Sequence, residues 1–248
     1  MKHRFLGHIT FYSSCLSCGY VDEAPADVTT LVNCKGCGRP PDQFEIWFPD
    51  TAYQYVMLLE DYHQRPISQL RKDYFEAVRE ENAYSYWCAQ QEPEFKPTDD
   101  WQPITILLYR SLFELLLNHF LWKMVYVQLL PSPDAGHYAG FIVDQLSDVN
   151  ERLGKGYKFI TQSRWNDDIK ELGYTGLNQL LRETVKVRNE FVHENPLAGH
   201  TDLTLAERAK KSVPQLFELF VKLANKYFHP RAKQLALIDI IYKKDEKN

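Results

Sequence analysis

Two nearly identical units, Cys15-Leu16-Ser17-Cys18-Gly19 and Cys34-Lys35-Gly36-Cys37-Gly38, carry the plainest chemistry in this 248-residue chain. Two residues between paired cysteines let both thiolates face one ion. The following glycine permits the tight turn that points backbone amides at sulfur. Fifteen residues separate the pairs, enough for a small hairpin excursion. Together Cys15, Cys18, Cys34 and Cys37 complete a four-thiolate tetrahedron, the closed structural site that zinc prefers. Iron in a rubredoxin-like site uses the same ligands and is the minor alternative. A closed site leaves no position for a reactive water, so the expected role is folding a module too short to build its own core. A ribbon of this kind could also contact nucleic acid or a partner protein.

The second constellation is Val187-Arg188-Asn189-Glu190-Phe191-Val192-His193. At about 100° per residue from Leu177, the residues Leu181, Val185 and Val192 share one side of a helix, and Arg188 falls near about 20°, in the middle of that apolar face. A guanidinium there is costly unless it is paired or opens onto a cleft. Such local violations concentrate at functional sites. Asn189 and His193 are four apart and therefore neighbours on the helix. His193 has a basic neighbourhood in Arg182 and Lys186, and an imidazole with an ordinary value of about 6.5 can move protons at neutral pH. Arg188 could hold a phosphate and stabilise the charge that develops on it. The structural alternatives stay open. His193 could simply complement the dipole at a helix C-terminus, and Arg188 could be an ion-pair partner of a glutamate elsewhere.

A third, softer feature is the polar stripe Arg110, Glu114 and Asn118, with Ser111 beside it, on an otherwise apolar stretch. It could face the same cleft and position Arg188, most naturally through Glu114. The commoner fate of such a stripe is a solvated edge.

These residues need elements to hold them. Residues 1 to about 48 have few helix signals and read as short strands and turns around a metal. Helical spacing then runs over Thr51 to Gln64 and Ile67 to Gln91. The Glu92 to Asp100 stretch reads as a linker or long loop. Pro103 to Leu130 is apolar nearly all round and is expected to be a central helix. A second helix is expected over about Tyr138 to Leu153, with Gly154 as its stop, and a short helical stretch near Asn166 to Leu172. A third runs over about Thr175 to Glu194, ending before Pro196. The fourth starts with the capping-box pattern Thr204-Leu205-Ala206-Glu207 and continues to Phe228, with Pro214 inside as a kink.

The Arg–Asn–His element, at the end of the third helix of a four-helix segment, resembles the HEPN superfamily. Its nuclease members carry an Arg, four to six residues, then a His, often with a polar residue directly after the Arg. Arg188-Asn189-Glu190-Phe191-Val192-His193 fits with Asn in that place. The resemblance implies a four-helix up-and-down bundle and a metal-independent endoribonuclease. It also implies a homodimer in which the Arg/His elements of two protomers line one cleft. Catalytic roles then fall to Arg188, Asn189 and His193, with Glu114 and Arg110 behind them. The implied partners are RNA, tRNA among the candidates, and an antitoxin or activator protein, in a defence, toxin–antitoxin or abortive-infection setting. No catalytic metal and no organic cofactor is implied. Some members of the superfamily bind RNA, nucleotides or proteins without cutting, so a non-catalytic zinc-ribbon adaptor is the rival reading.

The expected fold class is mainly α with a small N-terminal β zinc ribbon. The expected domains are the ribbon over 1–48, a helical extension and linker over 49–100, and the HEPN-like bundle over 101–248. Composition is that of an ordinary globular chain, 44% hydrophobic and 25% charged. Lys and Arg total 29 against 33 Asp and Glu, a net charge of -4, which argues against a surface coated for duplex DNA. A zinc-ribbon transcription factor is disfavoured for the same reason. Met1 to Thr10 lacks the apolar core of a secretory signal. Arg110, Glu114, His119 and Lys123 interrupt the longest apolar stretch, which argues against a membrane span. Cytoplasm is the expected address.

Overall fold

The computed structural model describes residues 11–24, 33–39, 44–61, 101–130, 132–146, 148–189 and 203–245. The expected helix over Ile67 to Gln91, the linker after it and His193 lie outside these residues. The described chain is mainly helical, with a small three-stranded antiparallel sheet at its N-terminal end.

The sheet has the order β2-β1-β3, from β1 (Tyr12–Cys15), β2 (Val21–Glu23) and β3 (Phe44–Ile46). Ser13 pairs with Asp22 on one side and Ile46 on the other, and β1 ends at Cys15, where the first cysteine turn begins. The helices are α1 (Asp50–Asp61), α2 (Trp101–Leu129), α3 (Ala135–Asp144), α4 (Val149–Glu151), α5 (Tyr157–Thr161), α6 (Trp165–Glu171), α7 (Thr175–Asn189), α8 (Leu203–Lys211) and α9 (Val213–Asp245). A π-helical turn, Arg152–Gly156, links α4 to α5.

The chain divides into two compact units. The first combines Met1–Pro49, Leu116–Gly173 and Phe217–Asn248. Its core is aromatic. Trp47 meets Phe228 with ring centroids 5.0 Å apart, Phe48 meets Phe217 at 4.9 Å, and Tyr157 meets Trp165 at 5.4 Å. Edge-to-face rings at these distances gain beyond their buried area. One buried carboxylate is built into this unit. Asp168 accepts hydrogen bonds from the hydroxyls of Tyr157 (2.5 Å), Tyr227 (2.6 Å) and Ser163 (2.8 Å) and from Lys226 Nζ (2.9 Å). Burial alone would raise its pKa, and these donors reverse that and hold it below the ordinary carboxylate value.

The second unit combines Asp50–Leu115 and Tyr174–Leu216. Ala52, Val56 and Leu59 form the buried face of α1 at helical spacing. Ile106, Leu107, Leu108, Tyr109, Leu112 and Phe113 are buried nearly all round α2, as its sequence dictates. Leu177, Leu180, Leu181 and Thr184 are buried on α7.

Two sequence expectations are corrected. Pro214 does not kink a single helix. The chain breaks at Ser212, between α8 and α9, and Pro214 occupies the first turn of α9, where its missing N–H leaves no hydrogen bond unmade. The Ser212 carbonyl accepts from Leu216 N–H at 3.0 Å to open α9, and the Ser212 and Tyr109 hydroxyls bond at 2.8 Å. Nor does one helix run from Tyr138 to Leu153. α3 ends at Asp144, and Asp148 caps a new start by accepting from Glu151 N–H at 2.8 Å. Gly154 then lies inside the π turn instead of stopping a helix.

Candidate functional site

The four cysteines come together through two turns of the same construction. In the first, Gly19 N–H donates to the Cys15 carbonyl at 2.7 Å and Cys15 N–H to the Tyr20 carbonyl at 3.0 Å. In the second, Gly38 N–H donates to the Cys34 carbonyl at 2.7 Å and Cys34 N–H to the Arg39 carbonyl at 2.8 Å. Gly19 and Gly38 take φ of 72° and 73°, the left-handed region these turns require and side chains resist. Gly19 is constrained a second time, because a Cβ there would meet Ala232 Cβ at 2.5 Å.

All four sulfurs lie within 4.8 Å of one another. Cys15 Sγ is 3.8 Å from Cys37 Sγ, and Cys18 Sγ is 3.6 Å from Cys34 Sγ. A tetrahedron with metal–sulfur bonds of about 2.3 Å has edges of about 3.8 Å, so the donor set fits one metal ion. Cys15, Cys18 and Cys34 are buried and Cys37 is half-buried. Gly36 N–H reaches Cys34 Sγ at 3.3 Å, the kind of amide that steadies a bound thiolate. Burial pushes the free thiols of Cys18 and Cys34 up. A bound cation inverts that preference, since a coordinating thiol is deprotonated outright. The site can therefore hold a metal such as zinc, with all four positions filled by protein.

The first unit grips this metal site from α9. Val21 N–H donates to Asn225 Oδ1 at 2.7 Å, and Asn225 Nδ2 donates to the Val21 carbonyl at 2.8 Å. One turn on, His229 Nδ1 donates to the Cys18 carbonyl at 2.8 Å, and its ring stands edge-on to Tyr20 at 5.3 Å. Sequence reading identified neither residue. Their only local sign is a spacing of four along α9, which places them on one face.

The second unit contains a charged cluster. Arg188 lies in the last turn of α7, half-buried, and donates from Nη1 to Asn189 Oδ1 at 3.2 Å. Arg110, on α2, is only 6% exposed. It does not sit on a solvated edge, the commoner fate of such a stripe. Its guanidinium stands over the Phe113 ring at 5.0 Å, and its Nε is 3.6 Å from Glu114 Oε1. Burial lowers the Arg110 pKa, the Glu114 charge raises it, and the charge of Arg188 lowers it again. The charges of Glu114 and Arg188 therefore act on Arg110 in opposite directions. The Tyr55 hydroxyl, from α1, bonds the Ser111 hydroxyl in the field of Glu114, and burial raises its pKa. Tyr55 was not found from sequence. It lies beside the Ala52–Val56–Leu59 face, which gives nothing that separates it from an ordinary core tyrosine.

Of the residues expected to do chemistry, the structure places Arg188 and Asn189 side by side. It buries Arg110 beside Glu114 and brings the four cysteines together. No helix among the described residues is long and apolar enough to cross a membrane. No family model, no curated protein and no solved structure matches the chain.

Proposed function

We propose that the chain is a metal-independent endoribonuclease of the HEPN type, with a structural zinc ion in its four-cysteine ribbon. The observation that supports this is the charged cluster on α7 and α2. An arginine followed by asparagine ends a helix with an apolar face and is coupled electrostatically to a second, buried arginine. A guanidinium is the side chain that matches a phosphate by two parallel hydrogen bonds. In this reading Arg188 binds the scissile phosphate and Asn189 orients it. The RNA 2′-hydroxyl attacks phosphorus, losing its proton to His193. The bond to the 5′-oxygen breaks, and that oxygen takes a proton from the protonated His193 or its counterpart in a second protomer. The products are a 2′,3′-cyclic phosphate and a 5′-hydroxyl. The reaction needs proton transfer and charge stabilisation only, which histidine and arginine supply.

The test is incubation of purified protein with labelled tRNA and total RNA, with EDTA added for the assay, beside His193→Ala and Arg188→Ala. Circular dichroism checks that the variants fold. Cleavage by the parent protein that both variants lose is the expected result. No cleavage, or cleavage that both folded variants retain, overturns the reading in favour of a binding adaptor.

A further inference from the structure

From Arg152 to Asn166 the chain carries four cations and no carboxylate, although acids outnumber bases over its whole length. The first unit folds this stretch with a clear division of faces. Gly156, Tyr157, Ile160 and Thr161 are buried, and the Tyr157 hydroxyl is tied to Asp168. Lys155, Lys158 and Phe159 are exposed. Lys155 precedes the other two by three and four residues, the spacing of neighbours on a helix surface. Arg152, three residues before Lys155, is half-buried, with its Nε shielded from water and without a hydrogen-bond partner among the described residues. Arg164 is exposed three residues after α5 ends, within about 11 Å of that end by chain length alone.

Two features set this surface apart. The first is charge without partners. Lys35, Lys123, Arg208, Lys211, Lys222 and Lys226 each stand within 4.0 Å of a carboxylate oxygen. The side chains of Lys155, Lys158 and Arg164 make no ion pair and no hydrogen bond among the described residues. The second is Phe159, 75% exposed, the most open large apolar side chain among the described residues. A ring left in water forfeits the gain that its burial would bring. Its position is nonetheless fixed, since the Phe159 carbonyl accepts from Gln162 Nε2 at 2.7 Å at the end of α5. Unpaired cations around an open ring complement a ligand that is anionic and carries flat apolar faces. A single nucleic-acid strand offers both, phosphates to the cations and bases to the ring. A lipid surface matches the charge, but binding there draws on a broad apolar face, and the exposed apolar side of the five-residue α5 is one ring.

We propose that this surface of the first unit binds single-stranded nucleic acid, with Phe159 stacking on a base and Lys155, Lys158 and Arg164 contacting the neighbouring phosphates. Arg152 adds its charge to the same field. None of these residues belongs to the charged cluster of the second unit, so the assignment stands without the ribonuclease reading and requires binding only.

Fluorescence anisotropy on the full chain tests this with labelled oligodeoxythymidylate, a 2′-O-methyl oligouridylate of equal length and a DNA duplex of that length. The parent protein is compared with Phe159→Ala, Phe159→Trp, the double variant Lys155→Gln/Lys158→Gln and Arg164→Gln over a salt series. All four positions are exposed, so melting temperatures should match the parent. Single-strand affinity should fall about tenfold in Phe159→Ala with the salt slope unchanged, and should be kept in Phe159→Trp. The lysine double variant should instead lower the log–log salt slope by about 1.4 and Arg164→Gln by about 0.7, because each lost phosphate contact releases fewer counterions. Duplex binding should be indifferent to Phe159→Ala, since paired and stacked bases offer the ring no face. Tighter binding of one strand assigns the source to RNA or to DNA. No binding of either strand by the parent overturns the proposal. So does parent-like affinity in Phe159→Ala or in the lysine double variant, and so does sedimentation with phosphatidylserine vesicles where neither strand binds. Cleavage of RNA by a protein whose strand binding ignores Phe159 would remove this surface and leave the ribonuclease reading intact. Phe159-dependent binding without cleavage would do the reverse.

Discussion

Asn225 and Val21 exchange two hydrogen bonds across 204 residues of sequence, Val21 N–H to Oδ1 at 2.7 Å and Nδ2–H to the Val21 carbonyl at 2.8 Å. A side-chain amide thereby satisfies both main-chain groups of a residue at the start of β2, as a neighbouring strand would. The cysteine ribbon is therefore an integral part of the first unit.

Asn225→Ala should cost about 2 kcal/mol, because it leaves the N–H and C=O of the buried Val21 without their partners. Asn225→Asp keeps an acceptor for Val21 N–H but turns a carboxylate towards the Val21 carbonyl, so it should be no milder at neutral pH. Urea unfolding gives the size, and amide exchange at Val21 should speed up in both variants. Unchanged exchange at Val21 would mean that the pairing contributes nothing.

Metal removal should act through the same contacts. The protein is expected to carry one zinc per chain. Release by a thiol-reactive mercurial should free it with loss of four thiols, from Cys15, Cys18, Cys34 and Cys37. Cys18→Ser and Cys37→Ser should each abolish tight binding. The amides of Tyr20 and Val21, near His229 and Asn225, should lose protection in the metal-free protein. A full complement of metal in both serine variants would count against the four-thiolate assignment.

Asp168 is the acceptor for two tyrosines, a serine and a lysine at once. Asp168→Asn removes the charge opposite Lys226 and should destabilise by about 3 kcal/mol, whereas Tyr227→Phe removes one hydrogen bond and should cost about 1. The carboxylate is held below its ordinary value of 3.8 in the folded state. Its contribution is therefore present above that value and lost as pH falls through the folded value. The deficit of Asp168→Asn should accordingly be full at pH 7 and shrink in strong acid, as denaturant titrations at the two pH values would reveal.

His119 predicts acid sensitivity at a milder pH. Its ring stands against Trp47 at 5.5 Å, and its Nε2 is buried with no hydrogen-bond partner among the described residues. Burial, helped by the Lys123 charge, pushes its pKa down from 6.5 to about 4. Between these values the unfolded chain binds a proton that the folded one refuses, so stability falls as pH drops from 6.5 towards 4, by on the order of 3 kcal/mol. A His119→Gln variant should show a flatter melting-temperature profile over that range. Parallel profiles for variant and parent would show that the ring does not carry the effect.

Much of the fold was legible locally. The spacing of Cys15, Cys18, Cys34 and Cys37 implied a metal site because both turns are built within six residues, by hydrogen bonds between near neighbours in the sequence. The unbroken apolar run of α2 and the periodicity of α7 likewise report themselves through helix geometry. The break at Ser212 was not legible, because a proline early in a helix and a proline inside one look the same until the helix start is known. Arg188 was flagged by its position on an apolar face; the structure shows it half-buried in the last turn of α7.

What the sequence determined by itself was therefore the chemistry written in short spacings: a four-thiolate ribbon, a mainly helical body and an Arg–Asn pair in the last turn of α7. Only the tertiary structure decided that Arg110 is buried beside Glu114, that Asn225 and His229 hold the ribbon, and that His119 is shut away from water. Burial and partnership depend on which distant segments meet. A helical period shows which residues share a face, but what that face packs against is set by the whole chain.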